Sequence, residues 1–394
     1  MAWPTDWGRK VVITVQAAMA DTNLSYFPIL ITAACIPSEV LDTTTGNECQ
    51  ADGGDLRFYT GDYSASNPGT ENTDRLPCEI VSLTRAAGAG GTCEIWVRVP
   101  SINASTGAII TMFYNSNGQT QPAEGAAYGK HETWNENSAN NFKMVHHLTG
   151  ASATALDDST SYNNDVASAG GTPTYNVTGA FNGGTVGQGS DLDGTGDYFS
   201  CGADASLEAT SAITISAWVY AKALALDDSV DIIYSKSDNI LEGGIEFGLE
   251  RVGNSNYLSM AYYDGSVRGW YTDSNVVSIN AWHHVVMIWN QNNVIYVKDG
   301  VQLDTVDTAN NAIVYDTDTA LIGAQTQNDE FNGDLDEVRV AAVVRAVDWI
   351  EAEYRNQSAP GTYVVEGTPG DVAAGGFQPA WARYSNVILQ AGNL

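Results

Sequence analysis

Trp282-His-His-Val-Val-Met-Ile-Trp289 is the stretch on which the fold turns. Successive residues of a strand point to opposite faces, and here both faces are apolar, as in a strand held between two layers. Upstream, Ile213-Thr-Ile-Ser-Ala-Trp-Val-Tyr220 places Ile213, Ile215, Ala217 and Val219 on one face and Trp218 and Tyr220 on the other. Downstream, Val294-Ile-Tyr-Val-Lys-Asp-Gly-Val-Gln-Leu303 sets Asp299-Gly300 between two strand-like runs, a strong hairpin signal. Together these segments predict two packed antiparallel sheets over residues 142–357.

Toward the amino end, short apolar runs are separated by Gly, Asn, Asp and Pro clusters: Val11 to Val15, Phe27 to Thr32, Leu56 to Tyr59, Ile95 to Val99 and Ile109 to Tyr114. They predict a separate all-β domain over residues 1–120. Residues 121–141 have almost no aliphatic side chains and read as a linker or long surface loop. Asp348, with Glu351 three residues on, predicts the start of a short helix over 348–356 that closes one edge of the sandwich. Residues 358–394 read as an extended tail, within which Trp381 to Leu389 is a strand that could pair with its own domain or with a neighbouring copy. The fold class expected is all-β: two β-sandwich domains, one short C-terminal helix and an extended tail.

The 394 residues carry 17 basic and 47 acidic side chains, a net charge of −30. Such a charge repels phosphate backbones and anionic lipid, so neither nucleic acid nor membrane is expected as a partner. No run approaches the roughly 18 apolar residues of a spanning helix, and the first apolar run, Val11 to Val15, is too short for an export signal. A soluble chain without a leader is the expectation. The five cysteines, Cys35, Cys49, Cys78, Cys93 and Cys201, lack zinc-ligand spacing. They read as buried thiols, with a Cys78–Cys93 disulfide as the alternative.

The second domain resembles the laminin-G or concanavalin-A-like jelly rolls. The resemblance rests on Leu192-Asp-Gly-Thr-Gly-Asp-Tyr-Phe199, the strand from Ile213, Ile233-Tyr-Ser-Lys236, Trp282-His-His-Val285, Tyr296-Val-Lys-Asp-Gly300, Leu321-Ile-Gly323 and Phe331-Asn-Gly-Asp-Leu-Asp-Glu-Val-Arg-Val340, in that order. The opening Met144-Val-His-His-Leu148 and Asp157-Asp-Ser159 fits as well. The first domain resembles a β-domain found ahead of such modules in bacterial and viral surface proteins, through Asp55-Leu-Arg-Phe58, Leu76-Pro-Cys-Glu-Ile80, Glu94-Ile-Trp-Val-Arg-Val-Pro100 and Met112-Phe-Tyr-Asn115.

The resemblance implies candidate sites. Glycosidases of this fold carry Glu-x-Asp-x-x-Glu on one strand; the nearest string here, Glu246-Phe-Gly-Leu-Glu250, lacks the central Asp, so no catalytic residues are assigned. Relatives often hold one structural calcium, which maps onto Asp193 and Asp336 with Asp197 and Asp334 as neighbours, although Asp before Gly is also ordinary turn chemistry. Sugar binding needs an aromatic platform beside polar groups, and Tyr262-Tyr-Asp-Gly-Ser-Val-Arg-Gly-Trp-Tyr271 supplies Tyr263, Asp264, Arg268, Trp270 and Tyr271. Strand alternation sends half of those aromatics into the core. His146-His147 and His283-His284 cannot chelate as pairs, because neighbours on a strand face opposite ways.

The function expected is a non-enzymatic virion surface protein of a phage, a capsid decoration or a fibre component contacting the receptor. Its partners would be other virion proteins, copies of itself and a host-surface glycan. The alternative is a secreted bacterial carbohydrate-binding or adhesion protein, extracellular in location.

Overall fold

The computed structural model describes residues 7–63, 74–134, 141–181, 186–223, 229–252, 255–272, 277–308, 310–325 and 329–372. The expected segment Trp381 to Leu389 lies outside them. Antiparallel sheets stack in four layers: one apolar cluster fills the second domain, another fills the first and runs on to the outer face of the eight-stranded sheet, and a third lies between the domains.

In the first domain, β1 (Arg9–Val15), β3 (Arg57–Thr60), β4 (Arg75–Leu76) and β7 (Ala108–Tyr114) make one layer. The facing layer is β2 (Leu24–Thr32), β5 (Cys78–Thr84) and β6 (Thr92–Ile102). Val11, Ile13 and Val15 from one sheet and Ile29, Ile31, Ile95 and Val97 from the other alternate into a shared core. All five cysteines are buried and free. Cys78 stands opposite Val97 and Cys93 opposite Leu83, so the register keeps the Cys78–Cys93 alternative from forming.

The second domain has an eight-stranded sheet of β8 (Phe142–His146), β10 (Thr174–Ala180), β11 (Val186–Asp193), β13 (Ile213–Ala221), β18 (Trp282–Trp289), β19 (Asn293–Lys298), β20 (Val301–Asp307) and β22 (Asn332–Ala341). Facing it is a seven-stranded sheet of β9 (Ser168–Gly170), β12 (Tyr198–Ser200), β14 (Val230–Lys236), β15 (Ile245–Val252), β16 (Ser255–Tyr263), β17 (Val267–Tyr271) and β21 (Ala320–Ile322). Asp299 and Gly300 both have positive φ, 51° and 76°, and turn β19 into β20.

The two apolar faces of β18 have different partners. Val285, Met287 and Trp289 fill the jelly-roll core, whereas Val286 and Ile288 join the cluster of the first domain. What covers that outer face is a helix, α2 (Val347–Ser358), through Trp349 and Ile350. Its N-cap is Ala346 and not the expected Asp348, which sits in the first turn, where its charge still complements the helix dipole. Nor does the helix close an edge of the jelly roll: it lies over the outer face of its eight-stranded sheet and against an edge of the first domain. Trp349 packs on Phe27 at 4.7 Å, and the Asn356 amide bonds both backbone groups of Leu30 at 2.6 and 3.2 Å, capping the open edge of β2.

The chain then returns to its first domain. β23 (Val364–Glu366) and β24 (Gly370–Asp371) pair with β1, and Val364 is buried in the first core. The segment expected as a linker also contributes to packing: α1 (Lys130–Trp134) carries a fully buried Trp134. Among the described residues no helix is long and apolar enough to cross a membrane.

Candidate functional site

The first domain covers the eight-stranded sheet, so among the described residues the outer face of the seven-stranded sheet is the one it leaves uncovered, with residues 324–325 lying against β14 and β15 at its middle. At its edge, β16 and β17 pair with Ser259 opposite Tyr271, Ala261 opposite Gly269 and Tyr263 opposite Val267. This register decides which of the expected ligand residues face outward. Leu258, Met260 and Tyr262 enter the core, so Tyr257, Ser259, Ala261 and Tyr263 face out, together with Val267, Gly269 and Tyr271. Trp270 faces inward, stacked on Tyr262 at 5.2 Å, and its carbonyl accepts the Tyr296 hydroxyl. Tyr271 is 46% exposed and pairs with Tyr257 at 5.4 Å. The residue that completes the outward platform is therefore Tyr257, which lies on β16 just before the stretch singled out in the sequence. Gly269 leaves open space across from Ala261, between Tyr271 and Val267.

Asp264 and Arg268 are engaged in shaping this hairpin. The Asp264 carboxylate accepts Arg268 Nε at 3.0 Å, Asn311 Nδ2 at 2.7 Å and the Ser266 amide at 3.1 Å. Partial burial pushes its pKa up, but the bonds from Asn311 and Arg268 outweigh this and leave it below the usual carboxylate range. Farther across the sheet, Glu246 is buried and accepts a bond from Gln325. Burial, with Asp329 nearby, pushes it up to about 8, so it holds its proton at neutral pH.

The four aspartates expected to hold calcium do not share a site. Asp197 accepts the Asp193 amide at 3.0 Å and the Thr172 amide at 2.5 Å, and Asp193 accepts Thr195 N at 2.8 Å within its own turn. Asp334 pairs with Lys222, which also holds Asp191. Asp336 lies on the same face of β22 but is buried in the seam between the domains, where it accepts the Ala180 amide at 2.9 Å. As placed, these residues do not fit a single cation. A different acid trio, Asp238, Asp316 and Asp318, brings ligand atoms within 4.8 Å of one another.

The seam between the domains holds a charge network that strand alternation does not reveal. His147 Nδ1 lies 2.5 Å from Glu337 and Nε2 lies 3.2 Å from Glu79. Glu79 also accepts Trp134 Nε1 at 2.6 Å and Ser159 Oγ at 2.7 Å. Arg339 bridges Glu337 at 3.0 Å and Glu353 at 2.5 Å, with its guanidinium 4.4 Å from the Trp96 ring centroid. A register shift between β13 and β22, with Glu337 at φ 52°, brings the adjacent Asp336 and Glu337 carboxyls into one charge cluster. Burial alone would strip the proton from His147, but Glu337 and Glu79 hold its pKa well above the ordinary value. Burial pushes Glu94 up to about 8 and Asp336 well above its usual range. Glu94, His147 and Glu337 converge within 4.8 Å, yet Glu337 is already shared by His147 and Arg339. The chemistry of this set is therefore ion pairing between domains.

Residues 193–351 match the concanavalin A-like lectin/glucanases superfamily, in its laminin-G form. The second domain is thus a concanavalin A-like jelly roll, and the match does not extend to the domain before it. No curated protein matches the sequence. Among solved structures, the chain is similar to the binding domain of Paraclostridial Mosquitocidal Protein 1, at 14% identity and TM-score 0.42 over 55% of this chain and 52% of that one. It thus spans about half the length of that toxin domain. It is also similar to domain 4 of an extracellular arabinanase from Geobacillus stearothermophilus, in complex with arabinotriose, at 15% identity and TM-score 0.41 over 54% of this chain and 98% of that one. A carbohydrate-binding module of a Ruminococcus gnavus sialidase, bound to sialyllactose, aligns at 14% identity and TM-score 0.34 over 42% and 96%.

Proposed function

We propose that this chain is a non-enzymatic surface protein of a phage particle whose jelly roll binds neutral glycan on the open sheet face. The observation that carries the reading is the outward pair Tyr257 and Tyr271 on the sheet that the first domain leaves free. A sugar ring stacks its apolar face on such a platform and turns its hydroxyls to polar neighbours. A net charge of −30 favours neutral sugars over sialylated or uronic ones. Placement on a particle draws on the likeness of the first domain to modules of viral and bacterial surface proteins.

A glycan array tests the binding. Neutral glycans should be retained by the wild type, and Tyr271→Ala should weaken them about tenfold. An array on which nothing binds would remove the glycan reading. Particle placement is tested separately: the chain should sediment with purified particles, and recovery only as a free monomer from culture medium would favour a secreted adhesion protein.

A further inference from the structure

We infer that the same sheet face carries a second glycan subsite at its opposite margin, a groove formed by Ser168, Tyr198, Ser200, Asp238, Asp318 and Leu321 that takes a neutral sugar ring. The inference rests on the reading of the open face as a glycan-binding surface and extends it to a site four strands from the hairpin. Because the strand order is β17-β16-β15-β14-β21-β12-β9, the two sites lie about 20 Å apart at the usual strand spacing.

The groove has a volume of about 460 Å³, within the range of small-ligand sites. Alternation builds its floor. Phe199 enters the core, so Tyr198 and Ser200 on either side of it face out, and Ser200 stands opposite Ser168 on β9 and Leu321 on β21. The Tyr198 ring lies on Gly170, where a Cβ would come within 2.1 Å of a ring carbon. Any larger residue at 170 would displace the ring, so the glycine fixes the aromatic surface where it lines the groove.

The polar wall is equally fixed. Asp318 accepts the Asp238 amide at 2.8 Å, and Asp316 accepts the Asp318 amide at 3.0 Å. The buried Lys236 ammonium donates to the Asp318 carbonyl and lies 3.5 Å from Glu208, pinning the loop from below. One aromatic ring, several hydroxyls and carboxylate acceptors together match the apolar face and hydroxyl edge of a sugar. Three clustered acids repel anionic sugars, which restricts the ligand to neutral rings.

Saturation-transfer NMR on the full chain, with glucose, galactose, arabinose and N-acetylglucosamine as probes, separates this site from the hairpin. Spectra are recorded without and with EDTA, which removes any cation held by the acids. The wild type should transfer saturation to at least one sugar, Tyr198→Ala and Tyr271→Ala should each lose part of it, and the double variant should lose it all. Ser168→Trp, which fills the groove from an exposed position, should reproduce the Tyr198→Ala loss without removing a core contact. If both groove variants match the wild type while Tyr271→Ala abolishes transfer, the second subsite falls and the hairpin site stands. Loss only in the groove variants would instead remove the hairpin site and keep the groove. No transfer to the wild type would overturn both sites, and a wild-type signal abolished by EDTA would overturn direct recognition by the groove.

Discussion

Replacing Arg339 by methionine should cost about 3–5 kcal/mol of folding stability, the range found when one partner of a buried ion pair is removed. Arg339 is 1% exposed and touches elements of both domains and the helix. It neutralises Glu337 and Glu353 while its guanidinium covers Trp96 and Trp134. Methionine keeps much of the volume and loses the charge, so Glu337 is left with His147 and Glu353 with the more distant Arg345 as cations. Urea denaturation measures the loss, and a drop below about 1 kcal/mol would mean that the seam is solvated. A Glu337→Gln/Arg339→Met double variant should recover part of the stability, because the orphaned charge goes with its partner.

What the sequence discloses here depends on how local the determining contact is. The strands from Ile213 and Trp282 are legible because alternation is a property of neighbours, and all four residues predicted to face inward from Ile213 to Val219 do so. The second apolar face of β18 signals that something lies over it, but nothing local says that the cover is α2 and a preceding domain. Asn356 meets Leu30 across 326 residues, and β23 meets β1 from the other end of the chain. The seam is illegible for two reasons. Its groups come from β5, β6, β22, α2 and the segment after β8, and the irregularity at Glu337 breaks the period-two rule that would have placed that side chain. Alternation rightly excludes His147 from a chelating pair with His146, but it says nothing about three glutamates arriving from elsewhere. At the hairpin, alternation requires half of the aromatics to point inward, but only the β16–β17 register shows that Trp270 is among them and that Tyr257 completes the outward pair.

The same seam should make stability fall as pH rises from 6.5 to 8, the second large effect expected. Glu94, raised by burial to about 8, keeps most of its proton in the folded state until the top of that window, whereas in the unfolded chain it is ionised above its ordinary 4.5. His147, held well above 6.5 by Glu337 and Glu79 against burial, likewise keeps a proton that the unfolded chain releases. The folded state therefore binds more protons, and each excess proton costs about 1.4 kcal/mol per pH unit as pH rises. Glu79 and Glu337 have the opposite sign. His147 holds both below 4.5 despite burial, so their contribution is complete above that value and is lost as pH falls. The optimum should thus lie on the acid side of neutrality. Glu94→Gln keeps an acceptor for Trp96 Nε1 but has no proton to lose, so it should flatten the pH 6.5–8 slope by about one proton. Glu246, pushed up to about 8 by burial and Asp329 on the open sheet, acts in the same direction and leaves its own share in that variant. Urea midpoints at half-unit pH steps read both slopes, and a Glu94→Gln profile parallel to the wild type would mean that Glu94 is already ionised in the folded chain.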